Sequence, residues 1–177
     1  MARADLAARQ LLDKIGWAAP PVDPARIAEE VLGVLIVEAE MPPDMSGMLV
    51  REPDRVVIGV NEGHSDPRQR FTIAHELGHF HLHKGRSVII DSDVRVNFRD
   101  RVSSLATDRE EIEANRFAAA LLLPDHMVRF WVAHESFQTA PELVERLAKS
   151  FRVSKAAVNF RLVNLGLIPT PVELGHD

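Results

Sequence analysis

The segment His75-Glu76-Leu77-Gly78-His79 constrains this chain more than any other, because its flanks mark it as the middle of a helix. Upstream, Asp66 can cap, Pro67 suits the first helical position and Gln69 lies three residues beyond the cap. Downstream, His83 and Lys84 suit the negative end of a helix dipole, and Gly85 supplies a left-handed terminus. The signals predict a helix over about 66–84. Side chains four apart share a helix face, so His75 and His79 can reach one point, while Glu76 projects about 100° round from His75. Random placement of 8 His and 14 Glu among 177 residues gives such an H-E-x-x-H pattern about 0.03 times per chain. Phe71, Ala74, Leu77 and Leu82 supply the apolar support that a rigid site needs. Gly78 costs a helix about 1 kcal/mol relative to Ala, which marks close approach of a neighbouring backbone or a ligand.

Two imidazoles so placed suit a metal at roughly 2.0–2.1 Å, with Glu76 beside it as a base for a water molecule. The chain has no cysteine, so any metal must be held by His, Asp or Glu. A third protein ligand is needed. His83 would lie about 12 Å from His75 along the axis, too far to share one ion, and reads as a helix-end residue supporting the site. The position six after His79 is Gly85, so no third histidine falls there. Glu110, Glu111 and Glu113 remain, and periodicity does not choose among them. Glu111 and Asn115 share a face, which would pair a ligand carboxylate with a polar group able to orient a histidine. Two His and one carboxylate suit Zn2+, with Mn2+ and Fe2+ as competitors. There is no tyrosine, so an oxyanion must be stabilised by the metal together with an Arg, backbone N–H groups, or His81, His83 or His126.

The remaining sequence frames this helix. With 46% hydrophobic and 27% charged residues, the chain can bury a core, and its apolar runs at 31–37 and 117–123 are too short to span a bilayer. Nothing at residues 1–17 resembles a secretory signal, so a cytoplasmic location is expected. Two helices are expected before residue 33, broken at Gly16 and Pro20-Pro21, with Asp23 capping the second. Residues 35–38, 47–51 and 55–60 read as short strands, the last two joined by a hairpin at Glu52-Pro53-Asp54. Residues 86–106 mix charged, Ser and apolar residues and read as a long loop, a possible lid. A helix capped by Thr107 with Glu110 then runs to Pro124, and a shorter one covers 125–135. Thr139 with Glu142, and Ser154, open two further helices. The expected fold is α+β: a small antiparallel β-sheet on an active-site helix and further helices, zincin-like. The division is a metal-site domain over 1–135, a helix-turn-helix-like extension over 136–168 and a flexible tail over 169–177. Residues 47–51 are a candidate strand for cradling an extended peptide.

The C-terminal helical pair admits two readings. Arg146, Lys149, Arg152, Lys155 and Arg161 against Glu142 and Glu145 give it a local charge of +3, which suits DNA. The whole chain carries −5, which disfavours direct nucleic-acid binding and leaves packing or protein recognition as the stronger reading.

Residues 70–79, Leu82-His83, the run from Glu111 through Asn115 to Ala119, and Leu122-Leu123-Pro124 together resemble the ImmA/IrrE family of metallopeptidases. The likeness extends to 46–50 and 57–61, and loosely to 151–154 and 161–167. One departure is Ala-Leu-Leu-Leu-Pro where the family often has Glu before Leu-Leu-Met-Pro. The resemblance implies a gluzincin-like site with His75, His79 and Glu111 as zinc ligands and Glu76 as general base, Glu113 being the reserve ligand. It further implies an endopeptidase whose target is a helix-turn-helix repressor of a mobile element or stress regulon. A regulator that binds DNA or the repressor without cutting it is the alternative.

Overall fold

The computed structural model describes residues 2–85, 88–92 and 101–173, with side chains at 90–92 and 101–107 outside that description. Helix α1 (Arg3–Ile15) stops at Gly16, whose φ of 68° is the left-handed conformation that ends a helix. Asp23 then caps α2 (Pro24–Arg26) by accepting from the Ala25 and Arg26 N–H groups, and the chain continues as a π-helical stretch, Ile27–Leu32. Strands β1 (Val34–Ala39), β2 (Met45–Arg51) and β3 (Val56–Asn61) follow, and the Glu52 N–H donates to the Arg55 carbonyl at 2.8 Å in the expected hairpin.

The sheet order is β1-β3-β2-β4, where β4 is Val88–Ser92. β2 runs antiparallel to both neighbours, but β1 is parallel to β3, so the sheet is mixed rather than wholly antiparallel. The tight hairpin reverses β3 against β2, and β3 occupies the place beside β1, so the two run the same way. Because β2 is paired on both sides, residues 47–51 have no open ladder to offer an added strand. Among the described residues the edge strands are β1 and β4.

Part of the expected loop is ordered structure. Residues 88–92 form β4, and helix α4 (Arg101–Leu122) begins six residues before Thr107, the expected cap. The first turns of α4 mix polar and apolar residues, which hid their periodicity; residues 86–87 and 93–100, the rest of the expected lid, lie outside the described residues. Helix α3 (Asp66–Leu82) has Ser65, not Asp66, at its N-cap, and Asp66 instead accepts from Arg152 Nη2 at 2.8 Å. Gln69 donates to the Asn61 carbonyl rather than closing a capping box.

α3 lies between β2 and α4. A Cβ on Gly47 would stand 2.5 Å from Thr72 Cγ2, so β2 approaches α3 as closely as glycine permits. Leu49, Ile58, Leu77, Phe117 and Leu121 are fully buried in this layer. Helices α5 (Asp125–His134), α6 (Ala140–Phe151) and α7 (Lys155–Asn164) follow, the last two capped by Thr139 and Ser154 as expected. The departure from the family pattern falls in the core, where Leu121, Leu122 and Leu123 are all buried. Val172 exchanges two hydrogen bonds with Asn159. No helix among the described residues is long and apolar enough to cross a membrane.

Candidate metal centre

His75 and His79 lie on consecutive turns of α3, and both are almost wholly buried. Their Nε2 atoms stand 3.0 Å apart. Glu111 of α4 reaches across with Oε2 at 3.2 Å from His75 Nε2 and Oε1 at 3.2 Å from His79 Nε2. All three donor atoms fall within 4.8 Å of one another. Ligands about 2.0–2.1 Å from a tetrahedral ion would be separated by about 3.3 Å, so the donor set fits one small divalent cation and leaves a fourth position. Burial alone would raise the Glu111 carboxyl, yet the two imidazoles beside it outweigh burial and hold the group far below the usual carboxylate range. Burial also lowers His79, which favours the neutral ring that a metal requires.

The outer nitrogens of both rings are fixed. His75 Nδ1 lies 3.0 Å from Asn115 Oδ1, an oxygen that can only accept, so the Nδ1 proton is held there and Nε2 faces the site as a lone pair. His79 Nδ1 lies 3.0 Å from His83 Nδ1, and His83 Nε2 lies 3.2 Å from Glu113 Oε2. Glu113 must accept, so His83 carries its proton on Nε2 and presents Nδ1 as acceptor to His79. The chain Glu113–His83–His79 thus sets the same tautomer at the second imidazole. Glu113 also pairs with Arg109 Nε at 3.2 Å. Glu111 therefore joins the histidine pair while Glu113 stands one residue outside it, the distinction that spacing left open.

Glu76 is completely buried beside this cluster, in the field of Arg51. Arg51 ends β2, and its Nη2 donates to the His79 and His83 carbonyls at 3.0 and 2.9 Å, closing the last turn of α3. Sequence reasoning missed Arg51; a lone base at a strand end carries no signal of its helix-capping role. Gly78 is where the two helices cross: a Cβ there would meet Ala114 Cα at 3.0 Å and Ala114 O at 3.1 Å. The close approach anticipated for this glycine is thus to the helix bearing Glu111.

The other histidines fall elsewhere. His81 is exposed and stacks on Phe117, with ring centroids 5.8 Å apart. His126 lines a different cavity, among residues of α1, α4, α5 and α7. His83 has both ring nitrogens engaged. In the C-terminal pair, Arg161 is buried, donating from Nη1 to Asp5 at 2.7 Å and from Nε to the Leu123 carbonyl at 2.9 Å, and so leaves the basic surface expected of a DNA reader.

Comparison with known proteins bears on this centre. Metallopeptidase ImmA of Bacillus subtilis is 31% identical over 116 residues, covering 64% of this chain and 59% of that protein. Radiation response metalloprotease IrrE of Deinococcus radiodurans is 29% identical over 119 residues, 67% of this chain and 34% of that one. The chain thus spans only part of each relative's length. A solved Mycobacterium tuberculosis transcriptional regulator superposes with a TM-score of 0.60 at 22% identity, over 92% of this chain and 47% of that one, a likeness of fold. The model of the peptidase M78, IrrE N-terminal-like domain matches residues 29–163, the span that holds His75, His79 and Glu111, and the chain belongs to that family.

Proposed function

We propose that the chain is a zinc-dependent endopeptidase domain that acts in the cytoplasm on a helix-turn-helix repressor of a mobile element or stress regulon. The observation that carries the reading is the convergence of three donor atoms from His75, His79 and Glu111 beside the buried carboxyl of Glu76. The names of the two relatives, metallopeptidase and radiation response metalloprotease, support it. His75, His79 and Glu111 would hold the ion, Zn2+ ahead of Mn2+ or Fe2+ for this donor set. Lewis acidity toward a carbonyl and acidification of a water molecule are what a bound zinc supplies in such a site.

The protein's own groups do the rest. Glu76 accepts a proton from the attacking water and returns it to the departing amine, so the carboxylate is regenerated in each turnover. Asn115 holds the His75 ring, and His83, itself held by Glu113, holds the His79 ring. With both nitrogens occupied, His83 acts as a positioning residue, and an Arg or backbone N–H groups, together with the ion when bound, would stabilise an oxyanion. Arg51 keeps the last turn of α3 closed beneath both histidines.

The test uses Glu76→Gln in the zinc-loaded chain, co-expressed with a helix-turn-helix repressor from the same genome. Cleavage by the wild type, with retained zinc and no fragments in the variant, is expected. Equal fragmentation by both proteins would refute the role of Glu76. Release of an intact repressor without fragments would replace the peptidase with a binding regulator, and a mobility shift lost on raising salt would point to DNA instead.

A further inference from the structure

Away from the metal centre, α1, α4, α5 and α7 enclose a cavity of about 540 Å3 whose charge opposes that of the whole chain. Four arginines, Arg9, Arg116, Arg129 and Arg161, line it against two aspartates, Asp5 and Asp125, a net of +2 in a chain of −5. Both aspartates are already neutralised. Asp5 accepts from Arg161 at 2.7 Å and Asp125 from Arg129 at 2.5 Å. Arg116 and His126 make no hydrogen bond or ion pair among the described residues, and the pair Arg9–Asp13 is long, 3.5 Å, and well exposed on both sides.

Two helix starts open onto the same space. Ala2 is the N-cap of α1 and Pro124 that of α5, and neither offers a side-chain cap, so first-turn N–H groups of both helices remain for another acceptor. Cationic side chains and two uncapped N-termini converging on one concavity are the requirements for a multiply charged anion. The apolar wall of Ala119, Ala120, Pro124 and Leu165 adds room for a ring. A volume of this size lies within the range of small-molecule sites, roughly 300–1,000 Å3.

We propose that this cavity binds a phosphorylated small molecule of about mononucleotide size. Arg116, Arg9 and His126 contact the phosphate, the arginines already bonded to Asp5 and Asp125 supply background field, and the apolar wall receives the organic part. The proposal does not rest on the peptidase reading. It does place an anion on α4, the helix that also carries Glu111, one position after Asn115.

Isothermal titration of the zinc-loaded full chain at constant ionic strength, with adenosine monophosphate, pyrophosphate and adenosine as probes, tests the site. Both anions should bind saturably, and adenosine at least tenfold more weakly than its monophosphate. Arg116→Glu, at an exposed position without a partner, should weaken both anions at least tenfold while zinc content stays stoichiometric. Arg146→Glu, whose partner Glu142 lies outside the cavity, should leave them unchanged. No saturable binding at millimolar concentrations, adenosine binding as tightly as its monophosphate, or equal affinity in Arg116→Glu would each overturn the proposal.

Discussion

Replacing Gly78 by Ala isolates how α3 and α4 together define the metal centre. The added Cβ would stand 3.0 Å from Ala114 Cα, 3.1 Å from Ala114 O and 3.2 Å from Phe117 Cβ. Ordinary carbon contacts lie near 3.5–4.0 Å, so α4 must move away by about 0.5 Å, because the obstacles are backbone or close to it. The substitution gains about 1 kcal/mol of helix propensity and loses about 1–3 kcal/mol to overpacking, a net of roughly 0–2 kcal/mol. That is a fall of no more than about 4–8 °C in Tm for a chain of this size. The larger effect falls on the ion. Glu111 sits three residues before Ala114 on the helix that is displaced, and its oxygens lie only 3.2 Å from two imidazoles on the helix that is not. Misplacing one of the three proposed ligands on that scale should cost about 10–100-fold in zinc affinity, comparable to losing an outer-shell partner. Competition with a chromophoric chelator measures it, beside thermal unfolding of the metal-free protein. A second substitution, Ala114→Gly, should not restore affinity, since it removes the Ala114 Cβ and leaves the obstructing Cα and O. Unchanged zinc affinity in Gly78→Ala, or full rescue by Ala114→Gly, would refute this account of the crossing.

Other expectations follow from the same contacts. Glu111→Ala should abolish stoichiometric zinc binding, whereas Glu113→Gln, which touches His83 and not the donor set, should weaken it by about 10–100-fold; elemental analysis and chelator competition separate the two. Arg161→Ala should destabilise the fold by about 3–5 kcal/mol, since it strands Asp5 and the Leu123 carbonyl in a buried setting, and urea unfolding reads the loss. In the metal-free protein, burial holds His79 below its ordinary value of 6.5, and the imidazoles of His75 and His79 beside it hold Glu111 below 4.5 despite burial. The unfolded chain therefore binds protons that the folded one does not. Stability should fall on acidification, from about pH 6.5 through His79 and further below about pH 4.5 through Glu111. Urea midpoints that stay level or rise from pH 8 to pH 4 would contradict those signs.

The metal helix was legible because its evidence is local. A proline near the start, a four-residue histidine spacing and a glycine within the apolar face are each fixed by helix geometry, and so is the shared face of Glu111 and Asn115. What was not legible depends on contacts between distant segments. Nothing near β1 announces that β3 will lie beside it, and the parallel pair follows only from where the hairpin docks. Which of Glu111 and Glu113 stands beside the histidine pair depends on how α4 crosses α3 at Gly78. Arg161 illustrates the opposite error: as a cation in a basic run it read as surface, yet its partner is 156 positions away. Residues 88–92 read as loop because a strand that short, among charged neighbours, has too few alternating positions to show its period.

That distance has a consequence during synthesis. At about 5–20 residues per second, Arg161 is made some 8–30 s after Asp5, and Arg70 waits about half as long for the Arg152 carbonyl to which its Nε donates. Throughout that interval Asp5 of the first helix lacks its counter-charge from α7. The layer of β2, α3 and α4 is therefore synthesised before its ties to the C-terminal helices can close. The time for which the N-terminal part lacks those ties is expected to follow the translation speed of the segment between α4 and α7.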